Sequence, residues 1–299
     1  MEKQAGQHVK PGRKTGTAGY TCFTRACSAR DPNPLYHGSD DLAQLFLPFF
    51  ALIMLNVPAL RGFMMRKIAP AGIYEYIIAR TRVMDATFQQ ALADGFQQIV
   101  ILGAGMDTRA LRFAYCNKNT RVFELDLART QRQKQAILKK KSVALPTGLS
   151  LVEIDLNSQE MGAALAAAGF QGGLQTLFLC EGLFMYLDAE AVDRSLAFMR
   201  ASAAPGSRLV FDYVQASVLR GEQGQYGEQD IFKTVANTGE VWTFGIEPNA
   251  IANFLAVRGF QLNEHFSAAK LEKRYFIDET GRQYGRVNGA HCIAAAVLE

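Results

Sequence analysis

Two glycines and three carboxylates set the chemistry open to this sequence. Gly103 and Gly105 follow the apolar run Ile99-Val100-Ile101-Leu102, within Leu102-Gly103-Ala104-Gly105-Met106-Asp107-Thr108-Arg109. Glycine tolerates left-handed backbone and lets a ligand approach the main chain, so Gly103-Ala104-Gly105 reads as a tight turn under a bound molecule. Asp126 ends the next extended run, Val122 to Asp126, where a carboxylate can accept hydrogen bonds from two ribose hydroxyls. A third run ends in Ile154-Asp155-Leu156, where Asp155 and the backbone N–H of Leu156 would read the amino group and ring nitrogen of adenine. Taken singly, each acid is as well explained by a helix cap or a solvated loop. Three strand ends in register favour one adenosine site. A dinucleotide fingerprint would place a third glycine at position 108, but Thr108 stands there behind Asp107. That acid disfavours a phosphate and accepts a sulfonium or an amine, which points away from NAD.

These residues need a parallel sheet to bring them together. Met84, Phe88, Ala91 and Leu92 fall at helical spacing, so Tyr74 to Ala93 is expected to be one helix, ended by Asp94-Gly95. Ile99 to Leu102 is a strand buried on both faces, and Asp107 to Phe113 reads as helix. The unit repeats: strands over Val122 to Asp126, Leu151 to Ile154, Leu177 to Cys180 and Leu209 to Phe211 alternate with helices over Thr130 to Lys141, Gln159 to Ala168 and one capped by Asp188. Strands alternating with helices of this length predict an α/β fold with helices on both faces of the sheet. A helix is expected from Pro248, with strands over Phe260 to Phe266 and Cys292 to Leu298 and a polar loop over Tyr275 to Tyr284. Residues 1–18 read as a basic mobile tail, 19–70 as an N-terminal helical cap, 71–214 as the cofactor-binding core, 215–246 as an inserted lid and 247–299 as the rest of the sheet.

Composition narrows the class. The chain has 299 residues, 49% hydrophobic and 20% charged, with a net charge of +4, as in a soluble globular protein with no large basic surface for nucleic acid. Five cysteines without paired spacing argue for a reducing, cytoplasmic setting, and four scattered histidines for no metal. Leu42 to Leu60 carries no charge, yet Pro48 and Pro58 break it, so it is no transmembrane segment. It is expected to form buried helices walling a pocket, the sharper alternative being a membrane-touching surface. The basic run Arg129, Arg132, Lys134, Lys139, Lys140 and Lys141 is expected to be a solvated helix, because no aromatics are interleaved with it.

The glycine run, Ala79-Arg80-Thr81-Arg82 with Asp85, Phe123-Glu124-Leu125-Asp126, and Cys180-Glu181-Gly182-Leu183-Phe184-Met185-Tyr186-Leu187 together resemble the leucine carboxyl methyltransferase family, which includes bacterial polyketide-type O-methyltransferases. The resemblance implies a Rossmann-like class I fold, a seven-stranded and mostly parallel sheet with the last strand antiparallel. The implied cofactor is S-adenosyl-L-methionine. By position, Arg80 would clasp the methionine carboxylate, and Gly103, Ala104 and Gly105 would pass under the cofactor. Asp126 would hold the ribose, and Asp155 with Leu156 the adenine. Glu181 would sit near the amine or sulfonium, Tyr186 on the substrate side, and Arg25 would be a second carboxylate contact.

Methyl transfer is chiefly a matter of orientation. An ionised carboxylate acceptor needs no general base, whereas a phenol or alcohol would need one, with His265 or His291 as candidates. The expected activity is O-methylation of a carboxylate or acidic hydroxyl on a small metabolite. An NAD(P)-dependent oxidoreductase on a similar fold and a non-catalytic cofactor-binding module are the alternatives.

Overall fold

Every residue of β1 (Gln98–Leu102) is buried, because the strand has neighbours on both sides and apolar layers on both faces. The computed structural model describes residues 17–222, 224–238 and 241–299. β1 is followed in sequence by β2 (Arg121–Asp126), β3 (Leu149–Glu153), β4 (Thr176–Cys180), β5 (Arg208–Val214), β6 (Phe260–Phe266) and β7 (His291–Leu298), and the seven form one sheet in the order β3-β2-β1-β4-β5-β7-β6. Pairings from β3 to β5 are parallel, and β7 runs antiparallel to both β5 and β6. Strand order therefore reverses between β1 and β4, and a crevice opens at their carboxyl ends.

Alternation along the strands divides the core in two. Ile99, Ile101, Val122, Leu177 and Leu179 pack with residues of α1 (Thr17–Ser28), α2 (Phe49–Asn56) and α4 (Ile73–Ala93), which flank α3 (Pro58–Phe63) in the chain. α5 (Arg109–Arg112) and α6 (Ala128–Lys140) follow β1 and β2. Val100, Leu102, Phe123, Phe178 and Phe211 pack on the other face with residues of α7 (Met161–Ala167) and α8 (Ala189–Ser202), the latter capped by Asp188, whose carboxylate accepts from Ala191 N at 2.7 Å. α9 (Ala216–Leu219) and α10 (Glu228–Thr238) lie between β5 and α11 (Ile251–Ala256), and α12 (Ala268–Tyr275) follows β6.

Several local expectations are corrected. The helix after β1 is four residues long rather than spanning 107–113, because Asp107 turns its side chain back to the helix start, its Oδ1 accepting from Arg109 N at 2.6 Å, while the Thr108 hydroxyl is engaged by Asp40. Pro248 lies in a turn and α11 begins at Ile251. α12 was not expected; Ser267 caps it, and Tyr275 ends it rather than opening a loop. α1 begins at Thr17, and the rest of the basic tail lies outside the described residues. Lys134 is not solvated. It is 1% exposed and reaches inward to Glu124 and to the carbonyl of Asp107, 2.6 Å away.

The 42–60 stretch bends sharply rather than forming one helix. The pair Phe49–Asn56 and Pro58–Ile68 meets at 97°, and among the described residues no single helix is long and apolar enough to cross a membrane. Ala51, Leu55 and Met65 face inward, but Phe49 is 79% and Phe50 66% exposed, so this stretch is buried on one side only, and none of its residues walls the cavity described below.

Candidate cofactor and acceptor site

The loop after β1 crosses the crevice in a conformation that requires glycine. Gly103 and Gly105 have φ of 63° and 51°, where a side chain strains the backbone. A Cβ on Gly103 would lie 2.8 Å from Leu183 Cδ1, whereas one on Gly105 would meet nothing nearer than 3.9 Å, so the space over Gly105 is open. That space belongs to a cavity of about 360 Å³ that takes in Gly103, Ala104, Gly105, Arg25, Arg80, Glu181 and Tyr186.

Glu181 follows β4 and faces two guanidinium groups, with Arg109 Nη2 at 2.7 Å and Arg80 Nε at 3.1 Å. Burial opposes its ionisation, but Arg109, Arg80 and Arg25 outweigh that and hold its carboxyl below the usual range. Arg80 also donates from Nη1 to Asp212 Oδ2 at 2.8 Å, and Asp212 accepts from Tyr76 at 2.7 Å and from Gly182 N at 2.5 Å. Arg109 is completely buried among Asp85, Asp107 and Glu181. Arg112 pairs with Asp85 at 2.7 Å and lies 3.4 Å from Asp40, which in turn lies 3.4 Å from Arg25. Four guanidinium groups thus face five carboxylates, leaving one formal negative charge. S-adenosylmethionine, with sulfonium, ammonium and carboxylate, carries one net positive charge, so the network suits it.

The sequence-predicted residues do not all reach this cavity. Asp126 borders the loop, accepting from Gly105 N and Leu127 N at 2.7 Å each. Asp155 and Leu156 lie on the turn beyond β3 and do not line it, and Asp155 caps that turn, accepting from Asn157 N at 3.0 Å. Arg25 does line it, donating to Met106 O at 2.7 Å. Thr108 is turned away and donates to Asp40 Oδ1 at 2.7 Å, so the position where a dinucleotide site needs glycine is filled by a buried hydroxyl.

Sequence reasoning missed four residues. Asp212 is an acid inside the apolar run of β5, which is itself a signal. Arg109 sits two residues after Asp107 and gave none. Tyr76 and Trp242 gave no signal by residue type or spacing. Trp242 reaches the cavity because Thr243 N donates to Met185 O at 2.8 Å, tying the segment after α10 to the turn after β4. Of the two histidines, His291 lines the cavity, while His265 lies on β6 with Nε2 3.1 Å from the Tyr213 hydroxyl.

A sequence model of the leucine carboxyl methyltransferase family matches residues 18–200. A protein of Mycolicibacterium smegmatis named for S-adenosyl-L-methionine-dependent methyl transfer is 32% identical over 259 residues, covering 83% of this chain and 82% of its own. This chain belongs to the leucine carboxyl methyltransferase family. A similarly named protein of Streptomyces avermitilis is 29% identical over 87% of both chains. A methyltransferase crystal structure from Thermobifida fusca shares the fold at TM-score 0.58 and 18% identity, covering 92% of this chain and 94% of that one. The chain is thus an S-adenosylmethionine-dependent methyltransferase, and its glycine loop lies at the carboxyl end of β1, beside the point where strand order reverses.

The methyltransferase carries a pH-sensitive group at this site. Burial pushes His291 down to about 4 from 6.5, with Asp212 raising it and Arg80 lowering it. Between those two values the unfolded chain binds a proton that the folded chain refuses, so stability falls as pH drops through that window. Full titration is worth roughly 3 kcal/mol. Urea unfolding from pH 7 to 4 should show this loss, and His291→Asn should flatten it. An equal slope in the variant would assign the loss to other groups.

Proposed function

We propose that this methyltransferase methylates an oxygen, a carboxylate or an acidic hydroxyl, on a small and partly apolar acceptor. The single observation behind the reading is the juxtaposition of the open glycine loop with Glu181, held between Arg80 and Arg109, in a cavity whose far wall is apolar and aromatic. Gly103, Ala104 and Gly105 would pass under the cofactor, and Arg80, with Arg25 beside it, would take the methionine carboxylate through guanidinium donors not engaged by Asp212. Glu181 would face the ammonium. Asp126 would hold the ribose, and Asp155 with Leu156 the adenine, outside the cavity lining described above. S-adenosylmethionine supplies an electrophilic methyl group whose sulfur keeps the bonding pair as a neutral thioether. What the chain adds is placement and the exclusion of water.

Tyr76, Met185, Ile231 and Trp242 form the remaining wall, which suits a flat or partly apolar acceptor. Adenosylhomocysteine at about 100-fold above its Kd should raise Tm by about 5 °C, and NAD should not. With labelled cofactor and a panel of carboxylic acids and phenols, label should pass to base-labile esters or alkali-stable ethers. Stabilisation by NAD, or binding of adenosylhomocysteine with no turnover of any acid or hydroxyl, would overturn the reading.

A further inference from the structure

We infer that His291 receives the acceptor's proton, and that the acceptor is therefore a hydroxyl on a flat aromatic ring rather than a carboxylate. This rests on the methyl-transfer reading above and narrows its substrate class.

His291 opens β7 opposite Val214 and is 4% exposed, lining the cavity. Its ring is fixed by its neighbours. Tyr76 stacks on it with centroids 4.4 Å apart and planes at 23°, and Trp242 meets it at 88° and 5.4 Å. Nδ1 lies 3.2 Å from Asn288 Oδ1. The orientation of that amide follows from its other partners: Asn288 Nδ2 donates to Ala71 O at 2.9 Å, and Oδ1 accepts from Ala290 N at 3.1 Å. An oxygen therefore faces the imidazole, and only an N–H on Nδ1 satisfies it. A neutral imidazole has one N–H, so Nε2 presents a lone pair. Nε2 forms no hydrogen bond among the described residues.

Burial keeps the ring neutral at pH 7, so the lone pair is available. A buried lone pair accepts from an O–H and repels an ionised carboxylate. Trp242 supplies the complementary group: its Nε1–H is buried, has no acceptor, and belongs to the same wall. Bound against this wall, a planar hydroxyl-bearing ring would donate to Nε2 while a second oxygen accepts from the indole. In balance, the acceptor gives its proton to Nε2 as its oxygen gains the methyl group, and the imidazolium then releases that proton to water.

Two measurements test this. In the full-length, ¹⁵N-labelled protein saturated with adenosylhomocysteine, the histidine ring signals that vanish in His291→Asn should be those of a neutral ring protonated on Nδ1 at pH 7. Protonation of that ring on Nε2 overturns the proposal. In turnover assays at pH 8, phenol, 4-cyanophenol, 4-nitrophenol and benzoate serve as probes. His291→Asn should lower kcat on phenol on the order of 10²-fold, progressively less on the more acidic phenols, with KM and adenosylhomocysteine affinity little changed. Benzoate turned over equally by both proteins overturns the hydroxyl assignment while leaving the methyltransferase reading intact. Failure to bind adenosylhomocysteine overturns that reading instead. If none of the probes is turned over, the ring tautomer decides.

Discussion

Arg109→Leu is expected to lose about 3–5 kcal/mol of folding stability, because a completely buried cation is removed from among three carboxylates. Leucine fills part of the volume, so the loss is electrostatic rather than a cavity effect. Asp85 keeps Arg112 and Glu181 keeps Arg80, but no other salt bridge partners Asp107 among the described residues. Protonation of the stranded carboxylates should relieve the variant, so its deficit against the parent narrows as pH falls from 7 toward 5. Urea unfolding at both pH values measures it. A deficit under 1 kcal/mol at pH 7 would show that the carboxylates relax to solvent without this arginine.

The second large effect is on cofactor affinity. Arg80 already serves Asp212 through Nη1 and lies 3.1 Å from Glu181 through Nε, so a bound carboxylate would be served by the rest of its fork. A lysine ammonium is a single point charge that cannot bridge the three groups. Arg80→Lys should therefore weaken adenosylhomocysteine on the order of 10²-fold in Kd, the scale of one lost charge-assisted contact, while the fold survives. Calorimetric titration reads it, and a Kd within threefold of the parent would move the carboxylate contact to Arg25.

The sheet was legible because its strands are short, continuous apolar runs that only a two-sided core explains; Ile99 to Leu102 and Leu177 to Cys180 needed no further context. Asp188 announced its helix by residue type. The ends of elements were less legible. α5 is short because Asp107 and Thr108 spend their side chains on Arg109 and Asp40, and the Asp40 contact spans the chain. Lys134 was misread because a helix of basic residues looks solvated until one position is known to face Glu124. For the site, the glycines, Arg80 and Glu181 were visible as motifs. Asp212, Tyr76 and Trp242 were not, since their roles depend on β5, α4 and the segment after α10 meeting in three dimensions. Asp126, Asp155 and Leu156 remain proposed contacts; none of the three lines the cavity.

The strand order has a consequence for how this chain is made. β7 is the last strand in sequence, yet it lies between β5 and β6. Until β7 has been synthesised and docked, β6 has no strand to pair with, and β5 presents an open edge of the kind that other chains can zip onto. Insertion of this one strand closes both gaps and delivers His291 to the pocket in the same event, so a molecule caught before that moment lacks part of its sheet and part of its reaction chamber together.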